Sequence, residues 1–338
     1  MALRVGIIGY GLAGRYFHAP LLKGCGFDVV VIQTSNKLRA DHAIEDFPHV
    51  KVVATVAELV AEKLDLVVVA SANLSHAENA YAAISAGIAV IIDKPMGRTY
   101  EETKSIIDAG ERAGVPVSTY FNRRWDSDAL TIKRVIASGE LGTIHRMDSR
   151  FERFRPDLNS VSWRENMSPE DGGGLLLDLQ PHLISTSIDW FGSAELVTSS
   201  VRALRGGADD DCVLVLRHES GVVSYLSASA LVGAPGPRSR ILGTAGALVI
   251  NGLDPQEDLL KAGKYPAGGR WDVPTASQAF IHRGEDVEEI AGENGNYALF
   301  YLAVADALEG KGPWPIDNGD ALLVAQIIDQ ARHNSLHG

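Results

Sequence analysis

The sequence predicts an α/β protein with a doubly wound parallel sheet at the N-terminus, followed by an α/β domain with a large, mostly antiparallel open sheet. Apolar runs alternate with helical segments over residues 1–121, which is typical of a parallel sheet covered on both faces. Stretches of period-two alternation dominate residues 122–338, as in an open antiparallel sheet. The length of 338 residues also favours two domains.

The first domain is predicted from short apolar strands separated by helices. The strands are Val5–Ile8, Val29–Gln33, Val52–Ala54, Asp65–Ser71, Ala89–Ile92 and Val115–Ser118. The helices are Leu12–Lys23, Ala57–Lys63, Ser75–Ala86 and Tyr100–Ala113, and Ser75 with Glu78 fits a capping box. Because right-handed crossovers bring the carboxyl ends of parallel strands to one edge, the residues that follow these strands should face one crevice.

The second domain is predicted to contain six strands of alternating character. They are Ile144–Phe154, Leu196–Leu204, Asp211–His218, Val222–Ala230, Arg240–Leu242 and Ala247–Asn251. A helix over Ala129–Ser138 precedes them, and an apolar helix over Leu175–Trp190 should kink or restart at Pro181. Residues 253–289 read as irregular. Helices near Tyr297–Glu309 and Gly319–Arg332 close the chain and are candidates to pack back on the first domain.

A glycine loop directly after the first strand predicts a dinucleotide site. Gly9, Gly11 and Gly14 have the G-x-G-x-x-G spacing, with Leu12 and Ala13 between the last two. Gly9 permits the tight turn, Gly11 permits close approach of a pyrophosphate, and Gly14 permits tight packing of the helix on the sheet. The helix N-terminus then favours negative charge. Glycine loops without a ligand are the alternative.

The end of the second strand favours NADP over NAD. NAD enzymes place an acidic residue about 20 positions after the loop to bind the ribose 2′-hydroxyl, and Val31–Arg39 contains none. Polar side chains followed by Lys37 and Arg39 are suited to a 2′-phosphate, although an ordinary polar loop with dual cofactor use stays open. The predicted cofactor contacts in this segment are Thr34, Ser35, Asn36 and Lys37.

Three residues are candidates for chemistry. Lys94 follows a buried strand, where its ammonium is suited to hold a substrate hydroxyl and the oxyanion that develops on it. Asp178 and His182 follow three glycines and lie four positions apart, a spacing that suits proton transfer near neutral pH. A solvated loop lysine and an inert surface pair are the alternatives.

Residues around the domain junction complete the candidate site. Asn122 is placed to reach the nicotinamide or the substrate, and Arg123 and Arg124 are expected as structural ion-pair partners. The proposed substrate contacts, suited to a polyol or sugar, are Tyr120, Arg153, Arg155 and Trp163. Packing or ion pairing explains each of these residues equally well.

Composition excludes several classes of function. The net charge is −12, which disfavours nucleic acid or an anionic membrane as a partner. The only cysteines, Cys25 and Cys212, form neither a disulfide framework nor a metal cluster, so we expect no metal and a reduced, cytoplasmic compartment. No apolar run is long enough to span a bilayer, and no signal peptide is evident.

Taken together, these motifs resemble the glucose–fructose oxidoreductase, inositol dehydrogenase and rhizopine catabolism family (Gfo/Idh/MocA), in particular bacterial NADP-dependent scyllo-inositol dehydrogenase-like enzymes. The resemblance covers nearly the whole chain. It includes the segments GYGLAG, SANLSH, DKP, NRRWD, RFERFRP, WRE, GGGLLLDLQPH and GLDPQE.

The resemblance implies a Rossmann domain, a C-terminal domain whose sheet forms a homodimer or homotetramer, and a small polyol or sugar substrate. It assigns the hydroxyl-orienting lysine to Lys94, the substrate-fixing aspartate to Asp178 and the general base to His182. Further cofactor contacts are expected from residues at or after the strand ends of the first domain and at the domain junction, namely Ser71, Asn73, His76, Asp93, Lys94 and Asn122. The chain departs from the family pattern at Ala72, Gln180 and Ser185, where proline, glycine and aspartate are common.

These features favour an NADP(H)-dependent oxidoreductase that transfers a hydride between nicotinamide and a secondary alcohol or ketone of a sugar or cyclitol. Two alternatives remain. One is an enzyme for another carbonyl substrate, such as an anhydro-sugar or a dihydrodiol. The other is a non-catalytic, NADP-sensing regulatory protein of this fold, as fold resemblance alone does not decide function.

Overall fold

The computed structural model describes residues 2–159, 162–168 and 170–337. The described chain divides into two compact units. The first comprises residues 2–120, Pro255–Val273 and Asn296–Ala321. The second comprises Phe121–Asp254, Pro274–Gly295 and residues 322–337.

The first unit contains a parallel sheet of six strands. These are β1 (Arg4–Ile8), β2 (Asp28–Gln33), β3 (Lys51–Val53), β4 (Leu66–Val69), β5 (Ala89–Asp93) and β6 (Val117–Tyr120). Their order is β3-β2-β1-β4-β5-β6, and every pairing is parallel. This is the strand order of a doubly wound dinucleotide-binding sheet. The predicted fold and all six predicted strands are confirmed, with ends shifted by a few residues.

Helices connect these strands. A π-helical turn, Gly14–His18, leads into α1 (Ala19–Gly24), and the chain continues with α2 (Lys37–Asp46), α3 (Val56–Val60), α4 (His76–Ser85) and α5 (Tyr100–Ala113). Helix α2 was not predicted, because only Ala43 within it is buried and no apolar stripe marks it.

The capping box predicted at Ser75 is wrong. Ser75 ends the 3₁₀ turn Asn73–Ser75, and its hydroxyl donates back to the Ala72 carbonyl at 3.0 Å instead of capping α4. A capping box is formed instead at the start of α3, where Thr55 and Glu58 bond each other's backbone N–H groups.

The second unit contains a sheet of eight strands. They are β7 (Ile144–Glu152), β8 (Ala194–Arg202), β9 (Asp211–His218), β10 (Val223–Ser229), β11 (Ser239–Gly243), β12 (Ala247–Asn251), β13 (Gln278–Arg283) and β14 (Asp286–Ile290). The order is β14-β13-β12-β11-β7-β10-β9-β8. β7 and β10 pair in parallel and the remaining neighbours are antiparallel, so the predicted mostly antiparallel sheet is confirmed.

The prediction that residues 253–289 are irregular is wrong, because this stretch contains most of the hairpin β13–β14. Strand β14 is exposed at four of its five positions, so it lacks the inward-facing alternation by which a strand is recognised. It lies at the edge of the sheet.

The remaining helices follow in chain order. They are α6 (Ser127–Ser138), α7 (Trp163–Asn166), α8 (Leu175–Asp178), α9 (Gln180–Phe191), α10 (Gln256–Lys261), α11 (Ala298–Leu308) and α12 (Asn318–His337). α10 and α11 belong to the first unit. The predicted restart at Pro181 is confirmed, because α8 ends at Asp178 and Pro181 lies in the first turn of α9. In the part of the chain that the structure describes, no helix combines the length and apolarity needed to cross a membrane.

Candidate active site

Close backbone packing requires glycine at two positions of the loop that follows β1. Gly9 has φ +92°, and a Cβ there would lie 2.8 Å from the Ala70 carbonyl oxygen. A Cβ on Gly14 would collide with the Gly9 carbonyl oxygen. Gly9 and Gly14 therefore keep the loop tight between β1, the end of β4 and the first helix.

Gly11 faces a cation instead of backbone. A Cβ built on Gly11 would lie 3.7 Å from Cζ of Arg39, with no other residue among its nearest contacts. Arg39 is in the first turn of α2. The loop thus has a bare backbone at Gly11 with a guanidinium beside it, an arrangement that suits a phosphate.

Helix α2 is tied to the glycine loop at its other end. The Asp46 carboxylate accepts hydrogen bonds from the Tyr10 hydroxyl at 2.9 Å and from Arg15 Nε at 2.7 Å. The pKa of Tyr10 lies well above its usual value, first because the phenol is buried and second because Asp46 is negative. This cluster fixes α2, and therefore Arg39, relative to the loop.

The predicted 2′-phosphate residues differ in their exposure and in their contacts within the protein. Asn36 Oδ1 accepts from the Arg39 backbone N–H at 3.0 Å and caps α2. The Lys37 side chain is 89% exposed and pairs with Asp41 at 3.0 Å. Thr34 is buried, and Ser35 is exposed. Arg39 is therefore the cation that this segment places against the loop.

The residues present fit a nicotinamide dinucleotide. The glycine loop provides a backbone surface without side chains, and Leu12, 47% exposed, follows Gly11 at the open side. The remaining site residues of the first unit lie at the neighbouring strand ends, since Ser71 follows β4 and Asp93 ends β5.

His76 joins the loops that follow β4 and β5. Its Nδ1 lies 2.9 Å from the Pro95 carbonyl oxygen and its Nε2 lies 3.2 Å from the Ser71 carbonyl oxygen. Burial lowers the pKa of His76, against the opposing charge of Asp93. Both ring nitrogens therefore face backbone carbonyl oxygens, and the neutral ring donates its one N–H to one of them. Ser71 also accepts a hydrogen bond from Asn79 Nδ2 at 3.0 Å, and Asn73 is buried.

Lys94 follows Asp93 at the end of β5. The Lys94 backbone N–H donates to Asp93 Oδ1 at 2.9 Å, and the peptide bond from Lys94 to Pro95 is cis. The pKa of Asp93 lies below its usual value: burial raises it, but contact with His18 and the charges of Lys94 and His76 outweigh burial. The carboxylate before Lys94 is therefore ionised at neutral pH.

Asp178 and His182 both lie in the second unit, on the two helices separated at Leu179. His182 is 6% exposed, and its ring lies edge-on to Phe151 with centroids 6.3 Å apart. Asp178 pairs with Arg164, with Nε and Oδ1 3.2 Å apart. Sequence reasoning did not pair Arg164 with Asp178, because the two residues are fourteen positions apart and no periodic pattern links them.

The departures at Gln180 and Ser185 are explained by packing within the second unit. Gln180 Nε2 donates to the carbonyls of Cys212 and Leu226, which ties α9 to β9 and β10. Ser185 Oγ accepts from Arg124 Nε at 2.9 Å. Asp189, one turn further along α9, lies 3.7 Å from Arg124 Nη1, so Arg124 has both a hydroxyl and a carboxylate partner on α9.

The residues predicted around the domain junction are distributed over both units. Tyr120 is 2% exposed in the first unit, where its ring packs against His18 at 4.5 Å and Phe300 at 4.9 Å. Asn122 is 6% exposed in the second unit, at the start of a 3₁₀ turn. Arg123 pairs with Asp126 at 3.1 Å, so the ion-pair expectation for Arg123 and Arg124 is confirmed.

The proposed substrate residues of the second unit lie beyond β7. Arg153 is half-buried and Arg155 is exposed, and their backbone N–H groups donate to Ser229 and Ala230 carbonyls. The side chain of Trp163 lies outside what the structure describes. Among the described residues, no group of three or more His, Cys, Asp or Glu side chains is arranged to bind a metal ion.

Comparisons with known proteins agree with this architecture. Residues 3–121 match the model of an oxidoreductase family with an NAD-binding Rossmann fold, Gfo/Idh/MocA. Residues 129–249 match the model of a Gfo/Idh/MocA C-terminal domain.

Relatives resemble the chain over nearly its full length. The scyllo-inositol 2-dehydrogenase (NADP(+)) IolW of Bacillus subtilis is 34% identical, covering 98% of this chain and 94% of its own. The uncharacterized oxidoreductase YdgJ of Escherichia coli is also 34% identical, covering 99% and 97%. The solved structure of the oxidoreductase YvaA of Bacillus subtilis superimposes with a TM-score of 0.90 at 33% identity, covering 100% and 97%. The chain therefore belongs to the Gfo/Idh/MocA family of oxidoreductases.

Proposed function

We propose that this oxidoreductase uses NADP(H) and acts on a secondary alcohol, or the corresponding ketone, of a sugar or cyclitol. The observation that carries the cofactor choice is the segment after β2, which has no acidic residue for a ribose 2′-hydroxyl and which places the Arg39 guanidinium near the glycine loop. The likeness to IolW supports the substrate class, because the name of that relative gives scyllo-inositol and NADP(+).

When bound, the cofactor would accept the hydride from the alcohol carbon at its nicotinamide ring. Lys94 donates a hydrogen bond to the hydroxyl oxygen and stabilises the negative charge that develops there. His182 accepts the hydroxyl proton as the C–H bond breaks, and it returns that proton when the reaction runs towards the alcohol. Asp178 fixes a neighbouring hydroxyl, with Arg164 setting the direction of its carboxylate.

The assignment of His182 as the base is supported by its surroundings. It is a nearly buried imidazole, 6% exposed, in the first turn of α9. Histidine is suited to this task because its ordinary pKa of about 6.5 lies near the working pH.

We also propose that a homodimer or homotetramer forms through the sheet of the second unit. Strand β9 buries Cys212, Leu214 and Leu216 on one face. The opposite face carries Val213, 37% exposed, and Tyr225 of β10 is 38% exposed. Sedimentation velocity tests this proposal, which predicts a species of twice or four times the chain mass; a monomer at micromolar concentration contradicts it.

The enzymatic proposal is tested with a panel of polyols and ketoses, measured by NADPH absorbance with NADP and NAD in parallel. We expect turnover on scyllo-inositol or a related cyclitol or sugar, with NADP preferred. Turnover on an anhydro-sugar or a dihydrodiol alone would move the substrate assignment to another carbonyl class. Tight NADPH binding without turnover on any compound would favour a cofactor-sensing protein.

A further inference from the structure

A histidine that the proposed chemistry does not use is buried inside the first unit. His18 is 0% exposed and is the last residue of the π-helical turn Gly14–His18, whose bond runs from the Ala19 N–H to the Gly14 carbonyl. π-helical turns are rare and occur often at functional sites. The ring lies between aromatic neighbours, 4.5 Å from the Tyr120 centroid and 6.2 Å from the Tyr301 centroid.

The two ring nitrogens of His18 face different polar groups. Nδ1 lies 2.5 Å from the Tyr301 hydroxyl, on α11. Nε2 lies 3.9 Å from Asp93 Oδ1 and makes no hydrogen bond among the described residues. When the Tyr301 hydroxyl donates to Nδ1, the neutral ring carries its proton on Nε2, directed at the carboxylate.

The carboxylate that His18 faces also binds the backbone of the proposed catalytic lysine. Asp93 Oδ1 accepts the Lys94 N–H at 2.9 Å. Contact therefore runs from Tyr301 through His18 and Asp93 to the Lys94 backbone. The charged or titratable groups acting on Asp93 are His18, Lys94, His76 and Tyr301.

The Asp93 carboxylate depends on its contacts with His18 and with the Lys94 N–H. The Asp93 side chain is only 16% exposed, so water solvates it poorly. A 3.9 Å separation exceeds a hydrogen bond, so the neutral ring presents an N–H dipole to the carboxylate, which offsets part of the hydration lost on burial. The aromatic packing and the Tyr301 hydroxyl leave the imidazole little freedom to turn away from it.

We propose that His18, oriented by Tyr301, is a positioning residue that holds the Asp93 carboxylate and through it the backbone of Lys94. The inference rests on the proposed role of Lys94 at the substrate hydroxyl. The proposal gives a function to the polar chain, which we define as Tyr301, His18, Asp93 and the Lys94 backbone. His18 and Tyr301 of this chain are packed among aromatic side chains of the first unit.

The test compares four variants. His18→Leu removes both nitrogens, His18→Gln retains a donor towards Asp93, and Tyr301→Phe removes one hydroxyl while keeping the ring. Phe27→Leu is the matched control, because Phe27 contacts the Tyr301 ring at 5.9 Å and belongs to the packing but not to the polar chain.

The first readout is amide hydrogen exchange of the peptide spanning residues 90–97 in the full chain, with and without NADPH. We expect exchange at the Lys94 amide to accelerate several-fold in His18→Leu and less in Tyr301→Phe. His18→Gln should restore protection, and Phe27→Leu should match the wild type. Equal protection in His18→Leu, Tyr301→Phe and the wild type would overturn the proposal.

The second readout is turnover of scyllo-inositol with NADP. A displaced lysine should reduce kcat roughly 10-fold to 100-fold in His18→Leu, with little change in the KM for NADP.

Lys94→Ala separates the two possible failures. If Lys94→Ala abolishes turnover while His18→Leu and Tyr301→Phe retain it, the positioning role is wrong and the proposed function stands. If Lys94→Ala turns over normally, the proposed function loses its lysine and the positioning role falls with it.

Discussion

In the first unit, β4 is buried at all four of its positions, whereas β8 of the second unit has no buried position and alternates irregularly between half-buried and exposed ones. The candidate site differs in the same way. In the first unit, close backbone approach at Gly9 and Gly14 shapes the site. In the second unit, the candidate residues Asp178 and His182 lie on the consecutive helices α8 and α9. The comparison contrasts a loop shaped by close backbone packing with a pair of helix-borne side chains, and Lys94 is the side chain that the first unit is proposed to add to the chemistry.

The largest effect is expected in the second unit. His182→Ala removes the base, so turnover should fall by about 10² to 10⁴, while NADPH binds with near-normal affinity because the glycine loop belongs to the other unit. Steady-state kinetics and NADPH fluorescence titration measure both quantities. Thr186→Val is the control, since the Thr186 hydroxyl bonds only helix carbonyls. Near-normal turnover in His182→Ala would refute the proposed role of His182 as the general base.

A smaller effect is expected at the cofactor phosphate. Arg39→Ala should raise the KM for NADP by roughly 10-fold or more, because charge-assisted hydrogen bonds contribute about 1.5–3 kcal/mol. The KM for NAD should change little. Lys37→Ala, which removes a cation paired with Asp41 on the surface, is the matched control. If both variants behave alike towards NADP, Arg39 is not the 2′-phosphate contact.

The glycine loop is tested by adding one methyl group. Gly14→Ala places a Cβ against the Gly9 carbonyl, so we expect a loss of about 1–3 kcal/mol in unfolding free energy and weaker NADPH binding. Gly312→Ala is the control, because its Cβ would meet only Asp306 Cβ at 3.6 Å. Denaturant unfolding and fluorescence titration provide the numbers. Unchanged NADPH affinity in Gly14→Ala would show that the loop tolerates a wider turn.

The smallest effect is a pH dependence shared by the two units. Burial lowers the pKa of His76 in the first unit and of His218 in the second. The unfolded chain takes up protons at an ordinary pKa of about 6.5, whereas the folded histidines resist protonation. The unfolding free energy should therefore decrease as the pH falls below that value.

Each histidine should influence its own unit. In hydrogen exchange between pH 7.5 and 5.5, corrected for intrinsic rates, His76→Gln should reduce the acid-induced loss of protection in α4. His218→Gln, which replaces a ring bonded to Ser224 Oγ at 2.8 Å, should reduce it in β10. An unchanged pH dependence in both variants would assign the acid sensitivity to other groups.

Burial on both faces made the first unit predictable from sequence. Most of its strands contain an uninterrupted apolar run, such as LVVV in β4 and AVII in β5, and such runs mark parallel strands without any knowledge of their partners. Helix α2 could not be recognised because Ala43 is its only buried residue. β14 was missed because it is an edge strand with no buried position.

The candidate site was predictable only where the chain itself places residues together. The glycine spacing marked the loop, and Pro181 marked the break between α8 and α9. The partners of the site residues come from distant segments: Arg164 meets Asp178, and Tyr301 meets His18 across 283 positions. Such pairs depend on tertiary packing, and one sequence carries no local signal of them.

The central proposal is that Lys94 and His182 act on the same hydroxyl group. A crystal structure of the complex with NADP and a cyclitol substrate tests it most directly. The account predicts Lys94 Nζ and a ring nitrogen of His182 both within hydrogen-bond distance of one substrate oxygen, whose carbon faces the nicotinamide. A substrate that contacts only one of the two side chains, with the other directed into a separate cavity, would contradict it.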